Sequence, residues 1–61
     1  MGLSNYAVLV HTSSSFVPTI WEFTYFVDSL DFFKTCCVVL DVKKVYLIDT
    51  NNGRVLRSHI S

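Results

Sequence analysis

The spacing of apolar and polar positions changes along this chain, and each change marks an element. Tyr6-Ala7-Val8-Leu9-Val10 is a short unbroken apolar run rich in strand formers, closed by His11, Thr12 and the serines Ser13–Ser15. A run of that kind bounded by a polar loop reads as a strand buried on both faces, central in a sheet.

The next stretch supports two periods. From Thr19 to Asp28 the residues are mostly β-branched and aromatic, and alternation would set Trp21, Phe23, Tyr25 and Val27 on one face of a strand. A helix over Thr19–Thr35 orders more of the sequence. At about 100° per residue, Ile20, Phe23, Phe26, Val27, Leu30 and Phe33 fall within one arc of about 140°, with Thr24, Asp28, Asp31 and Thr35 beside it. Thr19 and Glu22 have the spacing of a capping box, and Pro18 stands where a staple against Phe23 would form. The helix is therefore the expectation. Its core set leaves Trp21, Tyr25 and Phe32 as a second apolar stripe, separated from the first by polar residues.

From Cys36 the pattern turns to sheet. Cys36–Val42 and Val45–Thr50 are rich in strand formers and are separated by Lys43-Lys44. Thr50-Asn51-Asn52-Gly53-Arg54 is a hairpin turn, with Gly53 in the left-handed conformation after a type I turn at Asn51-Asn52. A three-residue loop sets Ile48 opposite Leu56, Tyr46 opposite Ser58 and Leu47 opposite Arg57; a two-residue Asn52-Gly53 turn shifts this register by one. The closing hairpin pairs Val45–Thr50 with Arg54–Ile60. The expected fold is one α+β domain over residues 1–61. It runs β-α-β-β, with one helix packed on a three- or four-stranded sheet and a right-handed crossover joining parallel first and second strands. Such a sheet keeps one face uncovered, where a second subunit or a partner would pack.

Composition agrees with a folded, associating chain. Of 61 residues, 51% are hydrophobic and 16% charged, the reverse of a disordered segment. Seven of the nine aromatic residues lie between Phe16 and Phe33, more aromatic surface than so small a domain readily buries within itself. The formal charge is zero but divided. Residues 1–42 hold four acids against Lys34, a net of −3, and residues 43–61 hold Lys43, Lys44, Arg54 and Arg57 against Asp49, a net of +3. The basic hairpin would steer an acidic partner.

Candidate chemistry is sparse. His11 and His59 have no nucleophile elbow or glycine-rich oxyanion loop beside them, and neither Gly2 nor Gly53 lies in a phosphate-binding pattern. Cys36 and Cys37 are adjacent, a poor arrangement for a disulfide, and on a strand they would point to opposite faces and share no metal. No enzyme activity, cofactor or metal is expected. The thiols and the lack of a secretory signal favour an intracellular, cytoplasmic setting. Glu22 and Asp28 interrupt the most apolar stretch, so no membrane span is expected. The start Met1-Gly2-Leu3-Ser4-Asn5-Tyr6 is similar to an N-myristoylation signal, save for Tyr6 where Ser or Thr is usual.

Lys43-Lys44-Val45-Tyr46-Leu47-Ile48 with Asn52-Gly53-Arg54-Val55-Leu56-Arg57 resembles the opening hairpin of an Sm-type RNA-binding barrel, which also follows a helix. The likeness covers these two strands and their turn, and no functional residue is carried across on it. Five lysines and arginines in a neutral chain are few for phosphate-backbone binding, which disfavours nucleic acid as partner.

The expected function is a non-enzymatic protein–protein interaction module. It would be a small accessory subunit or an inhibitor that occupies a partner's surface, as virus- or phage-encoded ones do. Trp21, Tyr25 and Phe32 would serve as apolar anchor, with Lys43, Lys44, Arg54 and Arg57 as steering charge. The alternatives are a self-assembling homo-oligomer and, behind it, a nucleic-acid binder using the basic hairpin.

Overall fold

A computed structural model describes residues 5–60 of the chain. Five elements follow in order: β1 (Tyr6–Thr12), β2 (Thr19–Phe23), α1 (Phe26–Cys37), β3 (Val42–Asp49) and β4 (Arg54–Ile60). The class is the expected one, α+β, with a single helix packed on a sheet that ends in a hairpin. The sheet has four strands in the order β2-β1-β3-β4, each neighbouring pair antiparallel. The elements β1, α1, β3 and β4 stand in the expected strand–helix–strand–strand order, and β2 is an addition between the first two.

That addition corrects the helix over Thr19–Thr35. Its first five residues are strand: Thr19–Phe23 pairs with β1 in a ladder from Tyr6 opposite Phe23 to Val10 opposite Thr19. A β-branched and aromatic run loses side-chain freedom in a helix, and the free edge of β1 satisfies its backbone groups at once. Thr19 and Glu22 therefore do not form a cap. The helix starts after Tyr25, which is extended at φ −109° and ψ 142° and makes no side-chain cap hydrogen bond. Because β2 turns the chain back before the helix begins, β1 and β3 lie antiparallel, and the expected parallel crossover is absent.

The helix buries Ser29, Phe33 and Cys36 and half-buries Phe26, Leu30, Phe32 and Cys37. Positions 26, 29/30, 33 and 36/37 are one helical stripe. It lies on Val8 and Val10 of β1 and Val42, Val45 and Leu47 of β3. Of the expected core set, Phe23, Phe26, Leu30 and Phe33 pack there, whereas Ile20 and Val27 are exposed. Ser29 is fully buried, and its hydroxyl donates to the Phe26 carbonyl at 2.7 Å, so burial does not leave that hydroxyl unpaired.

The segment Cys36–Val42 is also corrected. The helix runs through Cys37 and is capped at Val38, where the Val38 N–H donates to the Thr35 carbonyl and the Val39 N–H to the Cys36 carbonyl, and β3 starts only at Val42. Lys43 is the extra residue of a bulge, since Thr12 opposes Val42 while His11 opposes Lys44.

The closing hairpin forms where expected, with Gly53 at φ 73°. Tyr46 opposes Ser58 and Leu47 opposes Arg57, as the three-residue loop predicts. Ile48, however, opposes Val55 rather than Leu56, because a bulge at Leu56 shifts the register by one. Asp49 then opposes Arg54 across a four-residue loop, in which Gly53 N–H donates to the Asp49 carbonyl at 2.8 Å. The Asp49 and Asn52 side chains accept from the backbone N–H groups of Asn51 and Arg54, each at 2.9 Å. Leu56, released from the ladder, half-buries against the core.

Burial predicts a sharp contrast among aliphatic side chains. Leu47→Ala empties a fully buried site and should cost about 2–5 kcal/mol, a large share of the stability of a domain this size. Ile20→Ala and Val27→Ala remove side chains that are 60% and 62% exposed, and each should stay within about 0.5 kcal/mol of the parent. Urea unfolding followed by circular dichroism measures all three.

Candidate functional site

The residues chosen as a site from sequence are not gathered into one place. Trp21 leaves from β2 and Phe32 from α1, and the two rings meet with centroids 5.3 Å apart. Phe23 adds a second contact on Phe32 at 5.4 Å. Trp21 thus lies on the helix-covered face of the sheet, half-exposed, where it fastens the edge strand to the helix. Tyr25 stands apart at the start of the helix, exposed, while the ring of Tyr6 meets Phe26 at 5.5 Å instead.

The four cations are equally scattered. Arg54 lies opposite Asp49 at the turn, and Arg57 lies opposite Leu47 on the helix-covered face. Lys44 sits toward the far end of β3, about 17 Å from the turn at the usual rise per strand residue. These four do not form a single basic patch.

What the topology does assemble is the sheet face opposite the helix. Ladder register places Ile20, Leu9, Tyr46 and Ser58 in one row across it. A second row is Glu22, Ala7, Ile48 and Val55, and a third is His11, Lys44 and Ile60. Six of these side chains are large and apolar: Leu9, Ile20, Tyr46, Ile48, Val55 and Ile60. Ile20, Val55 and Ile60 are exposed, and the other three are half-buried by their row neighbours. Ala7 is buried even here, flanked by the longer Glu22 and Ile48. His11 and Tyr46 meet edge to face at 6.2 Å. Four strands and three rows, polar positions included, give the face a footprint of about 400 Å² at ordinary strand spacings.

Alternation within β1 and β3 carried the signal for this face. In β1 the unbroken run Tyr6–Val10 masks that alternation, and in β2 the helical spacing of Ile20 with Phe23 and Val27 masks its place opposite Leu9.

A second feature gathers at the end of the molecule where β1 stops and β3 starts. Ser13 N–H donates to the Asp41 carbonyl at 2.9 Å, the Ser13 hydroxyl donates to Asp41 Oδ1, and the Ser14 hydroxyl donates to Oδ2 at 2.9 Å. The β1–β2 loop and the α1–β3 loop are thereby tied together. The two hydroxyls stabilise the carboxylate and hold Asp41 below the ordinary aspartate range, with Lys43 adding to the effect.

Cys36 and Cys37 are free, and both lie on the helix rather than on a strand. Burial raises the Cys36 thiol, helped by the neighbouring Cys37, and burial alone raises Cys37, so neither is tuned as a nucleophile. Among the described residues no cavity opens and no three metal-ligating side chains converge. None of the helices there is long and apolar enough to cross a membrane. The Met1–Ser4 part of the myristoylation-like start lies outside the described residues. No protein-family model, curated protein or solved structure matches this chain.

Two outcomes follow from these contacts. Trp21→Ala should cost about 1–3 kcal/mol, from lost burial and ring pairing, and should speed hydrogen exchange in β2 selectively, whereas Tyr25→Ala should change neither. For Asp41, whose folded-state pKa is depressed, the stabilisation is complete above the unfolded value and is lost as pH falls through the folded one. Acid titration of urea midpoints should therefore show a decline below the ordinary aspartate range that Asp41→Asn reduces.

Proposed function

We propose that this chain is a non-enzymatic protein–protein interaction module, a small accessory subunit or inhibitor that works by docking its open sheet face on a partner. The observation that supports this reading is the band formed by Leu9, Ile20, Tyr46, Ile48, Val55 and Ile60 on the face the helix does not cover. Tyrosine and large aliphatic side chains held on a rigid sheet lose little entropy on docking, which makes them efficient anchors. His11, Lys44 and Glu22 supply a polar rim. The anchor thus moves from Trp21, Tyr25 and Phe32 to the opposite side of the sheet. Of the steering cations only Lys44 borders it.

Size separates a partner of another kind from a second copy. A specific, stable interface covers about 800 Å² on each side, roughly twice the footprint of this face. A partner that reaches past the rim fits that requirement better than a flat copy of the same sheet. Self-association through the same face is the second reading, and one arrangement favours it. A two-fold axis running across the strands would lay the Glu22 end of one sheet over the His11–Lys44 end of the other, opposite in charge.

The test introduces charge where side chains are already exposed. Ile20→Glu/Val55→Glu should leave the circular dichroism spectrum unchanged and weaken capture of a partner from the native host by at least about tenfold. Trp21→Phe should leave capture intact. Partner capture that survives the two glutamates excludes the open face. Sedimentation equilibrium on the purified chain decides the second reading, which requires a dimer that the same variant dissociates.

A further inference from the structure

The end of the molecule tied together by Asp41 carries apolar side chains that the open sheet face does not use, and it shares only Lys44 with the rim of that face. Phe16 and Val17 on the β1–β2 loop, and Val38, Val39 and Leu40 on the α1–β3 loop, are all exposed. Phe16 and Leu40 are as exposed as in an extended chain, at 107% and 102%. The hydrogen bonds from Ser13 and Ser14 to Asp41 bring the two loops side by side, so these side chains share one end of the domain.

Charge is arranged behind them. Lys34 lies in the last turn of α1, and Lys43 and Lys44 lie in the first residues of β3, all exposed. Helix and strand rises set these ammonium-bearing residues about 3–7 Å behind the loops. Against them this end holds one described carboxylate, Asp41, whose two oxygens already accept serine hydroxyls. Most of the remaining acids, Glu22, Asp28 and Asp49, lie toward the opposite end, where β2 stops, the helix begins and β3 turns into β4.

We propose that the paired β1–β2 and α1–β3 loops are a membrane-surface anchor: Phe16, Val17, Val38, Val39 and Leu40 enter the headgroup boundary of an anionic bilayer while Lys34, Lys43 and Lys44 meet its phosphates and carboxylates. The spacing matches the roughly 5–10 Å to which interfacial segments bury their apolar side chains. Lysines set back by that distance stand at headgroup depth, where each gains from the negative surface potential. A protein partner would need a surface packed around these projecting side chains at the density of an interior. Fluid acyl chains need no such complementarity, and they suit side chains as fully exposed as Phe16 and Leu40. This is attachment to a surface, and it requires no membrane span.

The experiment is co-sedimentation of the full chain with vesicles of phosphatidylcholine alone and with roughly 30% phosphatidylserine added. The chain should bind the anionic vesicles at least about tenfold more tightly than the neutral ones, and raising salt to about 0.5 M should release most of it. Phe16→Glu/Leu40→Glu should fold normally, since both side chains are fully exposed, and should lose binding. Lys43→Glu/Lys44→Glu should reduce the preference for phosphatidylserine. Failure to sediment with anionic vesicles overturns the proposal, as does equal binding to neutral ones. Binding retained by Phe16→Glu/Leu40→Glu also overturns it; if Ile20→Glu/Val55→Glu then abolishes that binding, the open sheet face is the contact. Capture of an acidic protein through the loops without any vesicle binding would assign them to a protein partner and overturn the lipid reading.

Discussion

One short helix has to serve four strands. The twelve residues of α1 span about 18 Å, enough to lie across β1, β3 and part of β2 but not to cover both sides of a sheet. Among the described residues, every large fully buried side chain, Val8, Val45 and Leu47, lies on the side the helix takes. The opposite side is finished only by its own cross-strand neighbours. An apolar residue there is shielded by the pleat and by side chains one strand away, which is why Leu9, Tyr46 and Ile48 are half-buried and Ile20, Val55 and Ile60 are not. The open face follows from supply: the sequence builds four strands and a single helical stripe.

That supply was divided within one aromatic segment. Thr19–Phe23 and Phe26–Cys37 are parts of a run whose composition favours strand and whose spacing fits a helix, and the fold uses both. The outer edge of β1 decided the first part, since a five-residue ladder forms there without the cost of a helical nucleus. Thr24 and Tyr25 then turn the chain onto the sheet, where Phe32 receives Trp21 and Phe23. The hydrogen bonds at Asn5 secure the same corner. Asn5 N–H donates to the Phe23 carbonyl at 3.0 Å, its side-chain amide donates to the Thr24 carbonyl at 3.0 Å, and its carbonyl accepts from Thr50 at 3.1 Å.

Local chemistry was legible in the sequence, and long-range competition was not. The Asn51-Asn52-Gly53 turn, the strand at Tyr6–Val10 and the stripe Phe26, Leu30, Phe33 each rest on residues close together in the chain, and each forms. The start of the helix, the direction of β1 against β3 and the Leu56 bulge depend on which distant edge a segment meets. Cys36-Cys37-Val38-Val39 shows the same limit, because its strand propensity yields to a helix that needs Cys36 to fill the space beside Val42 and Val45. The candidate site suffered in proportion. Trp21, Tyr25 and Phe32 shared a surface only on a helix longer than the one that forms, whereas the open face was expected as a surface but without its residues.

The topology also gives the domain a polarity that neither composition nor net charge discloses. The acidic and basic halves of the sequence do not become two halves of the molecule, because β3 and β4 run alongside β1 for their whole length. The sorting is by element ends instead. Loops β1–β2 and α1–β3 share one end with Lys34, Lys43 and Lys44, while the start of α1 and the β3–β4 turn share the other with Asp28, Asp49 and its cross-strand neighbour Arg54. An odd number of strand reversals before the helix is what brings this about. The β1–β2 hairpin returns the chain to its starting end, so the helix runs back toward the β1–β2 loop and delivers its own exit loop beside it. Asp41 can bond Ser13 and Ser14 only because of that reversal; with a parallel crossover directly from β1, the helix exit would lie at the opposite end of the sheet. The added strand β2 therefore does more than widen the sheet: it sets which loops are neighbours, and with them which exposed side chains can act together.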